Sequence, residues 1–186
     1  MEYGLVVLWL AMYAWLAIAG LPLAALVFSR FADRGAALAL PLVLAVVWVV
    51  AYWVGHLAAH VDWLTFGYPA LAAGLLVVLA LDAVALHRGV RPDWKGYRGW
   101  FTVFTAAFLL LILVRAVDPG AWPGGGEKFL DFGLLASSLR ATALPPEDMW
   151  FAGEPVQYYY GGHMLASLLA RLTATPAVYA YNPALA

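Results

Sequence analysis

Apolar positions in this chain run continuously rather than alternating. Tyr3–Phe28 and Gly35–Val54 contain no charged residue, Leu64–Leu86 contains only Asp82, and Gly99–Val117 contains only Arg115. A bilayer hydrocarbon core of about 30 Å takes about 20 apolar residues as a helix. Only helices and closed barrels satisfy their backbone groups in lipid, and runs without a period of two select helices. The pattern therefore predicts an all-α polytopic membrane protein with four to six transmembrane helices. Residues 1–117 form a four-helix transmembrane region, 118–161 a loop with short interfacial helices, and 162–186 the start of further membrane helices. After Gly161, the spacing of Leu165, Leu168, Leu169 and Leu172 is helical, while Arg171 and Pro176 make that segment either a short span or an interfacial helix.

Composition agrees: 65% of residues are hydrophobic and 11% charged, far from the balance of a soluble domain. The placement of the few charges sets an expected topology. Arg30 and Arg34 lie in one connection, and Arg88, Arg91, Lys95 and Arg98 in another. The positive-inside rule puts both in the cytoplasm of a cell-membrane protein. The amino terminus, His56–Asp62 and the 118–161 loop then face outward. That loop holds Asp118, Glu127, Asp131, Glu147, Asp148 and Glu154 against Lys128 and Arg140.

The first run is far longer than the 7–15 residues of a signal-peptide core, and no basic stretch precedes it, so it reads as a retained span. The absence of cysteine excludes disulfides, thiolate metal sites and a cysteine nucleophile. A net charge of −1 gives no case for nucleic-acid binding.

The chemistry collects between Gly124 and His163. After Gly124-Gly125-Gly126, a helical pattern starts in which Glu127 and Asp131 share a face and Phe129, Phe132, Leu135 and Leu139 lie on or near the other. The two acids either turn toward a cleft or stabilise the helix amino terminus through its dipole. Pro145-Pro146 then holds Glu147 and Asp148 on a stiff turn, suited to a metal ligand or base and equally to a helix start. In Glu154-Pro155-Val156-Gln157-Tyr158-Tyr159-Tyr160-Gly161-Gly162-His163, three successive tyrosines form an interfacial belt or line a sugar or phosphate site. His163 suits a proton carrier, a phosphate partner, or a helix-terminal histidine in water.

The motifs GEKFLDFGLL, PPEDMWFAGEP and QYYYGGH, in this order and spacing, resemble a largely uncharacterised family of multi-spanning membrane proteins named for its YYY motif. The resemblance covers about Arg115–Asn182 and extends distantly to the GT-C glycosyltransferases, which take a sugar from a polyprenyl-phosphate carrier on the outer membrane face. It implies Asp131 and Glu127 as the catalytic acid pair, Glu147 and Asp148 as later acids able to hold a divalent cation (magnesium or manganese), and Arg115 against a lipid phosphate. Tyr158, Tyr159, Tyr160 and His163 would line the sugar site. Met149 stands where that family often has proline, and Gly162 where an aromatic is common. Such enzymes have many more spans, so the resemblance also implies that this chain is the amino-terminal part of one.

Two weaker features remain. His56 and His60, four apart with Asp62 following, could share a helical face for a metal but read more simply as interfacial histidines. Asp82 near the end of its span reads as structural, reaching water or Arg88. The leading expectation is a GT-C-like glycosyltransferase. A noncatalytic scaffold or lipid-linked-glycan binding protein is the alternative, and a transporter has thin support because ionisable residues are scarce in the spans.

Overall fold

The computed structural model describes Tyr3–Gly120 and Lys128–Ala186. Among these residues lie eight α-helices, α1 Tyr3–Ala19, α2 Leu21–Val27, α3 Ala39–Ala58, α4 Tyr68–His87, α5 Trp94–Val117, α6 Lys128–Arg140, α7 Gly161–Leu172 and α8 Ala177–Leu185, and a 3-10 helix, Ala36–Leu38, that leads into α3. The protein is an all-α polytopic membrane protein. Three helical stretches, Ala36–Ala58, Tyr68–His87 and Trp94–Val117, are long and apolar enough to cross a membrane, and α1 with α2 makes a fourth span if the bent pair is counted as one.

That bent pair corrects the expectation of one continuous helix over Tyr3–Phe28. The chain turns by 45° between α1 and α2, where Pro22 stands in the first turn of α2 and removes a backbone donor. Gly20 lets the bend lie on α3, since a Cβ there would meet the Ala39 carbonyl oxygen at 2.8 Å and Val43 Cγ2 at 2.3 Å. Asp82 on α4 then accepts from the Leu23 backbone N–H at 2.9 Å. A buried carboxylate thus serves the first turn of a broken helix, not Arg88. Another boundary also moved: α5 begins at Trp94 instead of Gly99 because Asp93 caps it, accepting from Lys95 N and Gly96 N at 3.0 Å each.

The two basic connections lie at one end of the bundle, where Arg34 Nη1 donates to the Arg91 carbonyl at 3.1 Å. The opposite end carries α6, α7 and α8. There α7 packs on α3 and α4, α8 on α1 and α5, and α6 on α7 and α8. A single apolar core, including Val47, Ala51, Met164 and Leu168, joins the spans to this layer. Twelve residues of α7 extend about 18 Å at 1.5 Å per residue, short of the ~30 Å hydrocarbon thickness. Its apolar stripe is spent on α3, α4 and α6.

Between α6 and α7 the chain folds back on the spans. Leu144 is buried against Gly55, where its N–H donates to the Gly55 carbonyl at 2.9 Å, and Phe66 N donates to the Thr142 carbonyl at 2.6 Å. Residues 146–156 then form a tight antiparallel turn, with Asp148 N donating to Glu154 O at 2.8 Å and Val156 N to Pro146 O at 2.9 Å.

Candidate functional site

Two of the expected residues come together. Asp131 lies in the first turn of α6 and His163 in the first turn of α7, and the packing of these helices brings His163 Nε2 to 3.2 Å from Asp131 Oδ1. In this pair the imidazole Nε2–H donates and the carboxylate oxygen accepts. Nδ1 is buried with no partner among the described residues. Asp131 turns toward α7 and α8.

A third helix completes the cluster. Tyr181 on α8 is buried, packs edge-on against Phe132 with ring centroids 6.3 Å apart, and lies under the Arg115 guanidinium at 5.8 Å. Burial pushes its hydroxyl above the usual tyrosine range, and the neighbouring Asp131 charge adds to this against the opposing pull of Arg115. Arg115, in the last turn of α5, donates through Nε to Asn182 Oδ1 at 2.9 Å, and Asn182 Nδ2 donates in turn to the Pro119 carbonyl at 2.9 Å. Arg115 Nη2 is buried without a hydrogen-bond partner among the described residues. Asp131, His163 and Tyr181 line a cavity of about 310 Å³ whose remaining wall is mostly apolar, including Leu135, Ala166 and Leu185.

The other acids are arranged differently. Glu127 lies outside the described residues. Glu147 Oε1 accepts from Gly153 N at 2.8 Å, while Asp148 Oδ1 accepts from Trp150 N at 2.8 Å and Phe151 N at 3.1 Å. Both carboxylates brace the 146–156 turn, which docks on α6 through a Ser137 Oγ bond to the Glu147 carbonyl and through Met149 against Gly133. The absence of a Cβ at Gly133 gives Met149 its seat. Among the described residues no three carboxylate or imidazole groups converge as a metal cage, and Glu147 and Asp148 each commit an oxygen to the turn.

The three tyrosines divide. Tyr158 and Tyr159 are exposed, their rings 5.3 Å apart, whereas Tyr160 turns inward and its hydroxyl meets His56 Nε2 at 3.1 Å. Burial, then Tyr52, raises the Tyr160 hydroxyl above its ordinary range. His56 ends a stripe on α3 in which Tyr52 stacks on Trp48 and touches His56, with centroids 5.5 and 4.4 Å apart. Trp48 Nε1 donates to the Gly161 carbonyl at 2.9 Å. The stripe thus pins the start of α7, and with it His163. His60 lies beyond the end of α3 at Ala58, while His56 meets Tyr160.

Sequence reasoning missed Tyr181, Asn182 and this aromatic stripe. The i, i+4, i+8 spacing of Trp48, Tyr52 and His56 was visible in the chain, but its partner was not. Tyr181-Asn182-Pro183 carried no acid, leaving no local sign of its place beside Asp131.

A family model described as Uncharacterized membrane protein (DUF2298) matches residues 46–186, which is more than half of the chain. The chain belongs to that family. The DUF2298 stretch begins within α3 and contains every residue of the Asp131, His163, Tyr181 and Arg115 cluster, together with Arg115–Asn182, the segment that carries the YYY-motif resemblance. No curated protein and no solved structure matches the chain.

Proposed function

We propose that this membrane protein is the amino-terminal part of a GT-C-like glycosyltransferase that uses a polyprenyl-phosphate-linked sugar on the outer membrane face. The observation that carries this reading is the Asp131–His163 pair, 3.2 Å apart beside Tyr181 and the Arg115 guanidinium, at the end of the bundle opposite the basic connections. In the proposed step, an acceptor hydroxyl attacks the anomeric carbon of the donor. The carbon–oxygen bond to the carrier phosphate breaks, and the carrier leaves as its phosphate. Asp131 takes the hydroxyl proton. His163 holds the carboxylate through Nε2–H, and Arg115 balances the charge that grows on the departing phosphate.

Tyr160, turned inward, is the member of the tyrosine triplet best suited to the wall of the sugar site, while Tyr158 and Tyr159 suit the headgroup region. No step is assigned to a divalent cation, because the geometry gives Glu147 and Asp148 to the 146–156 turn. General-base catalysis contributes about 10²–10⁴-fold. Asp131→Asn in the full-length product should therefore lower sugar transfer by about that factor while the protein stays folded, and transfer at the parental rate would remove the assignment.

A second reading, a noncatalytic binding protein for lipid-linked glycans, is favoured by one observation: two of the loop acids are structural braces, which leaves Asp131 with few acidic companions among the described residues. It predicts carrier binding without turnover.

A further inference from the structure

We propose that a water-filled vestibule enters the membrane from the end of the bundle opposite the basic connections and reaches the Asp131–His163 pair at about half the depth of the spans. The depth scale comes from α3. With the 3-10 helix before it, its span Ala36–Ala58 has 23 residues, about 34 Å at 1.5 Å per residue and close to the ~30 Å hydrocarbon thickness. Trp48 stands ten residues before Ala58, about 15 Å inward, and helix side chains lean toward the amino terminus, here deeper still. Trp48 Nε1 donates to the Gly161 carbonyl at 2.9 Å, so α7 begins near the middle of the bilayer. At the far end of α7, Arg171 Nη2 donates to the Leu139 carbonyl at 2.6 Å, and its guanidinium lies over the ring of Tyr68, the first residue of α4, at 5.6 Å. The helix thus climbs from mid-depth to the membrane boundary as a half-span, for which its ~18 Å suffices.

The chain leading down to Gly161 is the reason to place water there. Residues 156–160 belong to no helix, and at up to about 3.3 Å per residue they run from headgroup level near Tyr158 to mid-depth at Gly161. Gln157, Tyr158 and Tyr159 are exposed, and among the described residues their backbone groups have no hydrogen-bond partner. Lipid cannot satisfy such groups, so irregular backbone at membrane depth either lies inside protein or lines water. The side chains make the same demand. His163, two residues past Gly161, and Asp131 form an ionisable pair at that depth, and such groups face a protein interior or a water-filled cavity. Gly162, beside them, is exposed; a Cβ there would meet no described atom within 4 Å, and Gly162 lines the cavity that Asp131, His163 and Tyr181 share. The exposed strand of tyrosines and the open space at Gly162 form one path from the membrane boundary to the acid. A hydrophilic reactant would reach Asp131 along it without crossing lipid. That consequence rests on the proposed function, whereas the vestibule itself does not.

The test is cysteine accessibility in lipid nanodiscs, where a reagent meets both faces of the membrane. This chain contains no cysteine. Single cysteines are placed in an otherwise cysteine-free full-length product: Gly162→Cys and Tyr159→Cys in the vestibule, Ala152→Cys on the exposed turn, and Val49→Cys, an exposed position on α3 beside Trp48. The probe is the membrane-impermeant anion sulfonatoethyl methanethiosulfonate, which reacts with the thiolate, a species that needs water around it. Gly162→Cys and Tyr159→Cys should react within about tenfold of Ala152→Cys, and Val49→Cys at least about a hundredfold more slowly. Hydrogen–deuterium exchange of the unsubstituted protein gives a readout that no variant can spoil: the 157–162 amides should exchange while those of α3 around Trp48 stay protected. Gly162 and Tyr159 both as slow as Val49, with 157–162 protected, would mean that lipid, another segment of the chain or a second copy fills the space, and would overturn the vestibule. Reaction at Tyr159 alone would overturn its depth, and fast reaction at Val49 would overturn the placement of that level in the bilayer. Sugar transfer unchanged in Asp131→Asn would remove the catalytic reading and leave the vestibule standing.

Discussion

Gly55→Ala should loosen the 141–160 segment from the spans, and the cost can be worked from its surroundings. A Cβ on Gly55 would stand 2.4 Å from Leu144 Cδ1, 2.5 Å from Leu144 Cγ and 2.9 Å from Phe66 Cδ2, all closer than carbon atoms approach. Leu144 is 1% exposed and its N–H is held by the Gly55 carbonyl, so it has little room to yield. Overpacking of this kind costs about 1–3 kcal/mol, with about 1 kcal/mol more if the hydrogen bond breaks. Replacing glycine by alanine inside a helix returns up to about 1 kcal/mol, which leaves a net loss of roughly 1–3 kcal/mol. Leu144→Ala alone should cost about 2–5 kcal/mol through the cavity it opens. It also removes the two atoms that clash most. The double variant should therefore be no less stable than Leu144→Ala by more than a few tenths of a kcal/mol, a coupling of at least about 1 kcal/mol. Thermal unfolding in detergent, read by tryptophan fluorescence, with limited proteolysis of the exposed 150–154 tip as a local probe, measures all three variants. Additive losses in the double variant would refute the claim that Leu144 packs into the space that Gly55 leaves.

Three further outcomes follow from individual contacts. Asp82→Ala should cost about 1–3 kcal/mol by leaving the first turn of α2 without its acceptor, with Asp82→Asn milder because an amide oxygen still accepts; thermal unfolding of both variants checks the order. Trp48→Phe keeps the ring stack on Tyr52 but loses the bond to Gly161, so it should cost about 1 kcal/mol; an unchanged unfolding temperature would mean the bond adds nothing. For Asp33, burial works to raise the carboxyl, but bonds from Ala37 N and Gly35 N outweigh it and hold the group below the usual range. Because the folded state lowers it, its stabilisation is present above the unfolded value of about 3.9 and is lost as pH falls through the lower folded value. Carboxyl carbon NMR should show Asp33 titrating below a free aspartate, and Asp33→Asn should remove that acid step.

The membrane class, the helical content and the approximate spans were legible because they depend on local quantities: run length, charge scarcity and the absence of alternation. Even within that reading, Pro22 and Gly20 mark a break that the apolar pattern of Tyr3–Phe28 overrode, and Asp93 starts α5 a turn earlier than hydropathy alone suggested. The acids and tyrosines of the loop were likewise visible as candidates, with Asp131 and Glu127 singled out for catalysis only by the family resemblance. Tertiary structure separated them. Helix packing turned Asp131 to His163, a tight turn took up Glu147 and Asp148, and one tyrosine of three faced inward to His56. The aromatic stripe of α3 and the Arg115–Asn182 bond join residues 104 to 113 and 67 positions apart in the chain. Hydrophobic patterning says which segments leave water. Which side chains then meet is decided by how short helices close over the ends of long ones, through contacts whose partners no local sequence window contains.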